Sequence, residues 1–183
     1  KQLLIHSKVK DGLEIHYDGD LPSRSGMGSS SCFVVGLMNA LLKFKNKDIS
    51  KKKLAQESIY IERNVMKENV GWQDQIAASY GGFNNIFFKG NTYKVNKIKC
   101  KKSFQDNLNK KLFLLYTGKS RTAEKITRSY TNKLKNIKKQ NIYKILNFVS
   151  EAKKIIKNNN TDDFGYLLNE TWYQKRELSK IVS

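Results

Sequence analysis

The order of apolar and polar residues predicts a mixed first half of the chain and a helical second half. Residues 33–42 are largely apolar and predict a buried helix, whereas residues 51–71 have apolar positions spaced for one helix face. A short helix is expected through Ala78, and Gly90-Asn91 marks the turn of a hairpin at 84–95. The other expected elements are strands at 13–20 and 112–116 and helices at 123–139, 143–157 and 164–181, with a break at the three asparagines of 158–160.

The loop between the first strand and the first helix carries the strongest chemical signal, and it is PSRSGMGSSSC over residues 22–32. Gly26 and Gly28 can adopt positive φ, so the backbone can approach phosphate oxygens while the first N–H groups of the helix face the same anion. Serines 29–31 add hydroxyls that can cap the helix, bind phosphate or reach Mg²⁺. The loop therefore predicts a nucleotide-phosphate site, and a Ser-capped turn is the alternative.

A second glycine-containing segment imitates a different phosphate loop. Thr117-Gly118-Lys119-Ser120 follows an apolar run and matches the end of a Walker A motif. The first glycine of that motif would occupy position 113, which is Phe113. This segment therefore does not predict a Walker A loop.

Two carboxylates that follow the first loop are candidates for a role in phosphoryl transfer. Such a reaction needs one carboxylate to hold Mg²⁺ and another to orient or deprotonate the attacking hydroxyl, and we assign these roles to Glu62 and Asp74. Glu68, six residues after Glu62, falls on another side of the helix and is expected to be solvated. The alternative is that Glu62 is also solvated and that Asp74 only caps the helix through Ala78.

These segments together resemble the GHMP kinases, small-molecule kinases named for galactose, homoserine, mevalonate and phosphomevalonate. The loop is similar to their second motif, Pro-x-x-x-Gly-Leu-Gly-Ser-Ser-Ala, with Met27 in place of Leu and Ser31 in place of Ala. In that family a helix glutamate that binds Mg²⁺ precedes an aspartate near a glycine, and an apolar helix and Gly-Gly come next. The same order is present here in Glu62, Gly71, Asp74 and Gly81-Gly82.

The resemblance, which spans roughly residues 13–126, implies an α+β GHMP kinase fold. It implies a ribosomal-S5-domain-2-like, ATP-binding N-terminal domain at 1–103 and a helix-rich α/β C-terminal domain at 104–183, with the active site between them. The family's N-terminal acceptor-binding segment and C-terminal Gly-rich loop have no counterpart. We therefore expect both domains to be incomplete and the chain to be the internal part of a longer kinase. The implied site is catalytic Asp74; ATP-binding Pro22, Ser25, Gly26, Met27, Gly28, Ser29, Ser30 and Ser31; Mg²⁺ ligands Glu62 and Ser30, with Ser29 as the other hydroxyl; and acceptor-binding Gly71, Ser120, Arg121 and Thr122.

Residues 68–78 and 81–84 refine the resemblance to one sugar-kinase branch. That branch uses ATP and Mg²⁺ to phosphorylate the anomeric hydroxyl of D-glycero-D-manno-heptose 7-phosphate, a step toward nucleotide-activated heptose for cell-surface polysaccharide. Trp72 occupies a position where a smaller residue is expected, and the Ser120-Arg121-Thr122 segment is either an acceptor cradle or a capped helix start. A kinase for fucose or galactose is the alternative within the family, and a homodimer is one assembly state left open.

The charge distribution bears on a nucleic-acid alternative. The 183-residue chain has a net charge of +19, and residues 89–160 hold 20 Lys/Arg against 3 Asp/Glu. These lysines are mixed with asparagines on predicted helix faces without aromatic stacking positions, so a solvated basic face is favoured over an RNA or DNA surface. The positive field can still steer anionic substrates.

The cysteines, histidines and apolar runs add little chemistry. Cys32 and Cys100 lack metal-ligand spacing, and Cys32 is expected to be a small apolar residue of the buried helix. His6 and His16 suit a polar strand face. Membrane-span and signal-peptide patterns are absent from the sequence, so a cytoplasmic protein is the default expectation.

Overall fold

The computed structural model describes residues 2–10, 12–20, 25–116, 118 and 139–178. The predicted helix at 123–139 lies outside these residues except for its last position, and Pro22, Ser120, Arg121 and Thr122 lie outside them entirely. The described elements are α1 Gln2–His6, α2 Ser29–Phe44, α3 Lys51–Tyr60, a π-helical turn Ile61–Val65, α4 Gln73–Tyr80, β1 Asn84–Lys89, β2 Thr92–Lys97, α5 Lys102–Lys111, α6 Lys139–Lys157 and α7 Thr161–Leu178.

Packing divides the chain into two compact units whose boundary lies within β1, after Ile86. Residues from Phe87 onward form the second unit, apart from a short return to the first unit that includes Gly118. The division of family domains at 103/104 remains a prediction, because packing units and family domains are different quantities. Each unit has its own buried apolar residues.

The first unit is built around α2. The buried apolar positions of α2 are spaced one, three or four residues apart, as the apolar pattern of residues 33–42 predicts; they are Val34, Val35, Met38 and Leu41. Leu3 of α1, Leu54 of α3 and Ile61 of the π-helical turn complete this core. The helix therefore presents its N-terminal residues from a rigid, packed element.

The helix predicted at 51–71 is shorter than its pattern suggested. α3 passes into the π-helical turn, in which the Met66 N–H donates to the Ile61 carbonyl at 2.8 Å, and Lys67 then adopts a left-handed φ of 58°. A left-handed residue ends a helix, and the Glu68 N–H bonds back to the Glu62 carbonyl at 2.8 Å. The predicted end near Gly71 was wrong because a lysine, not a glycine, takes the terminating conformation.

The amino-terminal strand prediction was also wrong. Residues 2–6 form α1, and residues 13–20 have no regular secondary structure. A strand needs a neighbour for its backbone groups, and the described residues contain only the sheet of β1 and β2. His6 consequently lies at the end of α1, where it contacts Glu57 at 3.4 Å and the Tyr60 ring, and not on a strand face.

The next elements match their predictions. α4 begins at Gln73, so Asp74 lies in its first turn, and β1 and β2 form the expected hairpin around Gly90 and Asn91. The Lys51 ammonium donates to the Tyr80 carbonyl at 2.7 Å and thereby connects α3 with the end of α4. The α4 helix is thus held beside α3, and both pack against α2.

The second unit contains α5, α6 and α7. Phe104 is fully buried and meets the Phe164 ring edge-on at 5.9 Å between centroids. Residues 158–160 separate α6 from α7, as predicted, and Asn160 accepts hydrogen bonds from the Asp162 and Asp163 N–H groups, each at 3.1 Å. Asn160 therefore caps α7 with its side chain.

Residues 112–116 do not form the buried strand that their composition predicted. They have no regular structure, and all five side chains are exposed, Phe113 by 91% and Leu115 by 84%. Among the described residues no strand pairs with this segment. Cys32 is likewise exposed, because it lies on the outer side of α2 and not on the side of Val34 and Val35.

None of the described helices combines the length and the apolar character needed to cross a membrane.

Candidate active site

The loop before α2 has the backbone geometry expected for an anion site. Gly26 and Gly28 have φ angles of 81° and 72°, in the left-handed region that favours glycine. Gly28 immediately precedes α2, and no described side chain caps this helix. The first N–H groups of α2 are consequently available to a ligand, and the helix dipole favours a negative one.

The Glu62 carboxylate lies fully buried beside this helix start. The Ser31 hydroxyl donates to it, at 2.9 Å from Oε2 and 3.1 Å from Oε1, and the Ser30 hydroxyl lies 3.5 Å from Oε1. The π-helical turn that contains Glu62 is a local distortion often found at functional sites. The alternative, in which Glu62 is a solvated helix charge, is therefore wrong.

A third partner of Glu62 was missed by sequence reasoning. Gln75 of α4 is 1% exposed, and its side-chain amide donates to Glu62 Oε2. Gln75, Ile76 and Ser79 form the buried face of α4. The sequence signal that could have identified Gln75 is a polar residue among the apolar positions of a helix face. A polar group that is buried without a hydrogen-bond partner lowers stability by about 1–3 kcal/mol, so it is expected to have a partner.

Asp74 reaches the same loop from α4. A Cβ built on Gly28 would lie 3.3 Å from both Cγ and Oδ2 of Asp74, so this side chain rests against the Gly28 backbone. The Asp74 side chain is exposed, in contrast to Glu62. Both predicted carboxylates thus meet the Gly28–Ser31 segment, one from the interior and one from the surface.

The other predicted residues have varied surroundings. The Ser25 hydroxyl is buried without a hydrogen-bond partner among the described residues, and Met27 is exposed. The Ser31 hydroxyl is directed to Glu62, so its backbone N–H is the group left for a phosphate. Gly71 is exposed and precedes Trp72, whose ring lies 5.8 Å from the Arg63 guanidinium carbon.

The donor set suits a hard cation better than a soft one. In the described part of the chain, no group of three or more His, Cys, Asp or Glu residues is arranged to hold a metal. Mg²⁺ often takes only one or two protein carboxylates and fills its remaining positions with water and substrate phosphates. One carboxylate beside hydroxyl oxygens and a helix start without a side-chain cap fits that pattern.

This loop, the two carboxylates and the fold are similar to those of the GHMP kinases, and the comparison with known families agrees. The model of the GHMP kinases N terminal domain matches residues 1–82. This match covers 82 of the 183 residues, so this part of the chain is similar to that domain.

Individual relatives are sugar kinases. The chain is 29% identical, over 171 residues, to a D-glycero-alpha-D-manno-heptose 7-phosphate kinase of Campylobacter jejuni, a match that covers 92% of this chain and 50% of the relative. It is 25% identical, over 178 residues, to a bifunctional fucokinase/GDP-fucose pyrophosphorylase of Arabidopsis thaliana. This match covers 94% of this chain and 17% of that protein. The chain therefore spans half or less of the length of these relatives.

A solved structure supports the fold. The crystal structure of a D-glycero-D-manno-heptose 1-phosphate kinase from Bacteroides thetaiotaomicron matches with a TM-score of 0.66 and 24% identity, over 86% of this chain and 46% of that one. The predicted α+β GHMP kinase fold is confirmed, although two of the strands expected from the sequence are not present among the described residues.

Proposed function

We propose that the protein is a cytoplasmic, ATP- and Mg²⁺-dependent sugar kinase that phosphorylates the anomeric hydroxyl of a sugar phosphate. D-glycero-D-manno-heptose 7-phosphate is the first acceptor to test, because the heptose 7-phosphate kinase relative aligns with almost the whole chain. Such a product would serve nucleotide-activated heptose synthesis. The identity of the relatives supports the reaction class, and the site described above supports its parts.

The observation that carries the proposal is the state of Glu62. Its carboxylate is 0% exposed, and its hydrogen-bond donors are the neutral groups of Ser31 and Gln75. Among the described residues it makes no ion pair within 4 Å. A buried carboxylate is costly without a counter-charge, so a cation beside the loop would compensate it.

In this proposal Glu62 and the Ser30 hydroxyl hold Mg²⁺, with Ser29 as the alternative hydroxyl. When bound, Mg²⁺ would neutralise negative charge on the triphosphate and on the phosphoryl group that is transferred. The backbone N–H groups of the Gly26–Ser31 segment hold the phosphates of ATP at the start of α2. These groups act mainly by positioning and charge stabilisation.

Asp74 supplies the acid–base part of the mechanism. Its exposed carboxylate beside Gly28 orients the sugar hydroxyl and accepts its proton as the hydroxyl oxygen attacks the γ-phosphorus. A new oxygen–phosphorus bond forms, the bond from the γ-phosphorus to the bridging oxygen breaks, and ADP leaves. The proton remains on the Asp74 carboxyl group until solvent removes it.

The first test is Asp74→Asn in the complete protein that contains this chain. Turnover is expected to fall by about 10²–10⁴-fold because the amide cannot accept the proton, while the KM for ATP stays near its original value. Asp106→Asn is the control, since Asp106 is a half-buried aspartate of α5 whose ion pair is with Lys102. Turnover that is the same in both variants would remove Asp74 from this role.

The second test is Glu62→Gln, which preserves shape but removes the charge. The Mg²⁺ concentration for half-maximal rate is expected to rise about tenfold or more. Glu57→Gln, a half-buried change on α3 that affects contacts with His6 and Lys53, is expected to leave the Mg²⁺ requirement unchanged. A normal Mg²⁺ requirement in Glu62→Gln would refute the ligand assignment.

The acceptor sugar is identified by comparing kcat/KM across a panel of candidate sugars. The fucokinase relative makes fucose the specific second candidate, and galactose completes the comparison. We expect the heptose 7-phosphate to give the highest kcat/KM in an ADP-release assay. A higher value for an unphosphorylated sugar would overturn the assignment of the acceptor and leave the kinase assignment intact.

A further inference from the structure

The buried amide of Gln75 is the feature of the site that the proposed mechanism does not use. It lies on the inner face of α4 beside Ile76 and Ser79, and its nitrogen faces Glu62 Oε2. Because an ionised carboxylate only accepts hydrogen bonds, the Gln75 atom that faces it must be the NH₂ group. The orientation of the amide is therefore fixed by its partner.

The two oxygens of Glu62 have different surroundings. Oε2 accepts from the Gln75 amide and lies 2.9 Å from the Ser31 hydroxyl, and both of these donors belong to buried residues. Oε1 lies 3.1 Å from the same Ser31 hydroxyl, which has only one proton to share, and 3.5 Å from the Ser30 hydroxyl. Ser30 is an exposed residue of the first turn of α2, so Oε1 is the oxygen nearer to this exposed hydroxyl.

We propose that Gln75 is a positioning residue that anchors Glu62 Oε2 and so leaves Oε1 directed toward Ser30, where the cation binds. The inference rests on the proposed function, because it assumes that Glu62 holds Mg²⁺. It adds a division of labour between the two carboxylate oxygens. Partners of this kind orient metal ligands, and their loss commonly weakens metal affinity by about 10–100-fold.

The rest of the Gln75 side chain argues against a role in packing alone. Its carbonyl oxygen is buried and has no hydrogen-bond partner among the described residues. A side chain that only filled space would be more stable without that unpaired oxygen, since an apolar group of the same shape avoids the desolvation cost. The NH₂ group that contacts Glu62 therefore accounts for a glutamine at this position.

The test compares Gln75→Met with Ser79→Ala in the complete protein that contains this chain. Methionine is of similar size and fills the same space but has no donor, whereas Ser79 is a buried residue one helical turn further along α4 whose hydroxyl makes no hydrogen bond among the described residues. Two quantities are measured: the Mg²⁺ concentration for half-maximal rate, and the Kd of Mn²⁺ in the presence of ADP by electron paramagnetic resonance. We expect both to rise at least tenfold in Gln75→Met and to change less than twofold in Ser79→Ala.

Gln75→Asn is a second variant that keeps the proposal testable if Gln75→Met does not fold. Asparagine keeps an amide in the same interior but is one methylene shorter, so it cannot reach Oε2 from the same backbone position. It is expected to raise the same two quantities. An unchanged Mn²⁺ Kd in either folded Gln75 variant, or an equal rise in Ser79→Ala, would overturn the proposal.

These outcomes are separable from failure of the proposed function. If the unmodified protein has no Mg²⁺ requirement and binds no Mn²⁺ with ADP, the proposed function fails, and the role of Gln75 fails with it. If the unmodified protein requires Mg²⁺ and Gln75→Met has the same requirement, only the role of Gln75 fails.

Discussion

At the scale of single residues, the close contact between Gly28 and Asp74 sets the geometry of the loop. Gly28 has a φ of 72°, and its missing Cβ leaves the space that the Asp74 carboxyl group occupies. A glycine is thus needed here for two separate reasons, the backbone conformation and the close approach of a side chain. The contact joins the proposed phosphate loop to the proposed base.

We predict that Gly28→Ala lowers both stability and turnover. The left-handed backbone costs an alanine about 1–2 kcal/mol, and the new methyl group, 3.3 Å from the Asp74 carboxyl group, requires a small shift of the Asp74 side chain. The free energy of unfolding from urea titration and the steady-state kcat measure the two effects. A kcat that is unchanged in a destabilised variant would mean that the position of Asp74 does not depend on this contact.

The same helix offers a matched control in Gly36→Ala. Gly36 lies within α2, and a Cβ there would meet nothing within 4 Å. Because alanine is the better helix former, this change is expected to raise the free energy of unfolding by up to about 1 kcal/mol and to leave kcat unaltered.

The residues of the site were only partly predictable from the sequence. Gly26, Gly28, Glu62 and Asp74 stand in a recognisable order, and their chemistry can be read from residue type and spacing. The inward direction of the Ser31 hydroxyl and the burial of Gln75 could not be read in this way. Both depend on how α2 and α4 are rotated against each other, which three-dimensional packing decides and local sequence does not.

At the scale of elements, apolar periodicity predicted helices better than strands. α2, α4, α6 and α7 follow their patterns because a helix satisfies its own backbone hydrogen bonds. Residues 13–20 and 112–116 have suitable compositions but no strand beside them among the described residues. A strand depends on a partner that local sequence does not specify.

The start of α7 gives a prediction at this scale. Asn160→Ala removes the side-chain oxygen that accepts from the Asp162 and Asp163 N–H groups, so the free energy of unfolding is expected to fall by about 1 kcal/mol. Asn158→Ala, two residues earlier in the same turn, is the control and is expected to change it by less than about 0.5 kcal/mol. Equal effects in the urea titrations of the two variants would show that the cap contributes little.

At the scale of the whole molecule, the net charge of +19 should act on substrate capture more than on chemistry. We predict that kcat/KM for ATP falls several-fold as NaCl is raised from about 0.05 M to about 0.3 M, because salt screens the attraction of the anion. The kcat at saturating ATP is expected to stay constant. Sucrose at matched osmolality is the control. A kcat/KM for ATP that does not change with NaCl concentration would exclude electrostatic steering.

The exposed residues 112–116 give this charge a second consequence. Five neighbouring apolar side chains without a strand partner among the described residues are a surface through which copies of a protein can adhere. Mutual repulsion between strongly positive molecules opposes that adhesion, and the salt that screens ATP capture also weakens this repulsion. Resistance to aggregation and attraction of ATP therefore have one electrostatic origin. Light scattering at each salt concentration is needed to distinguish slower ATP binding from aggregation of the protein.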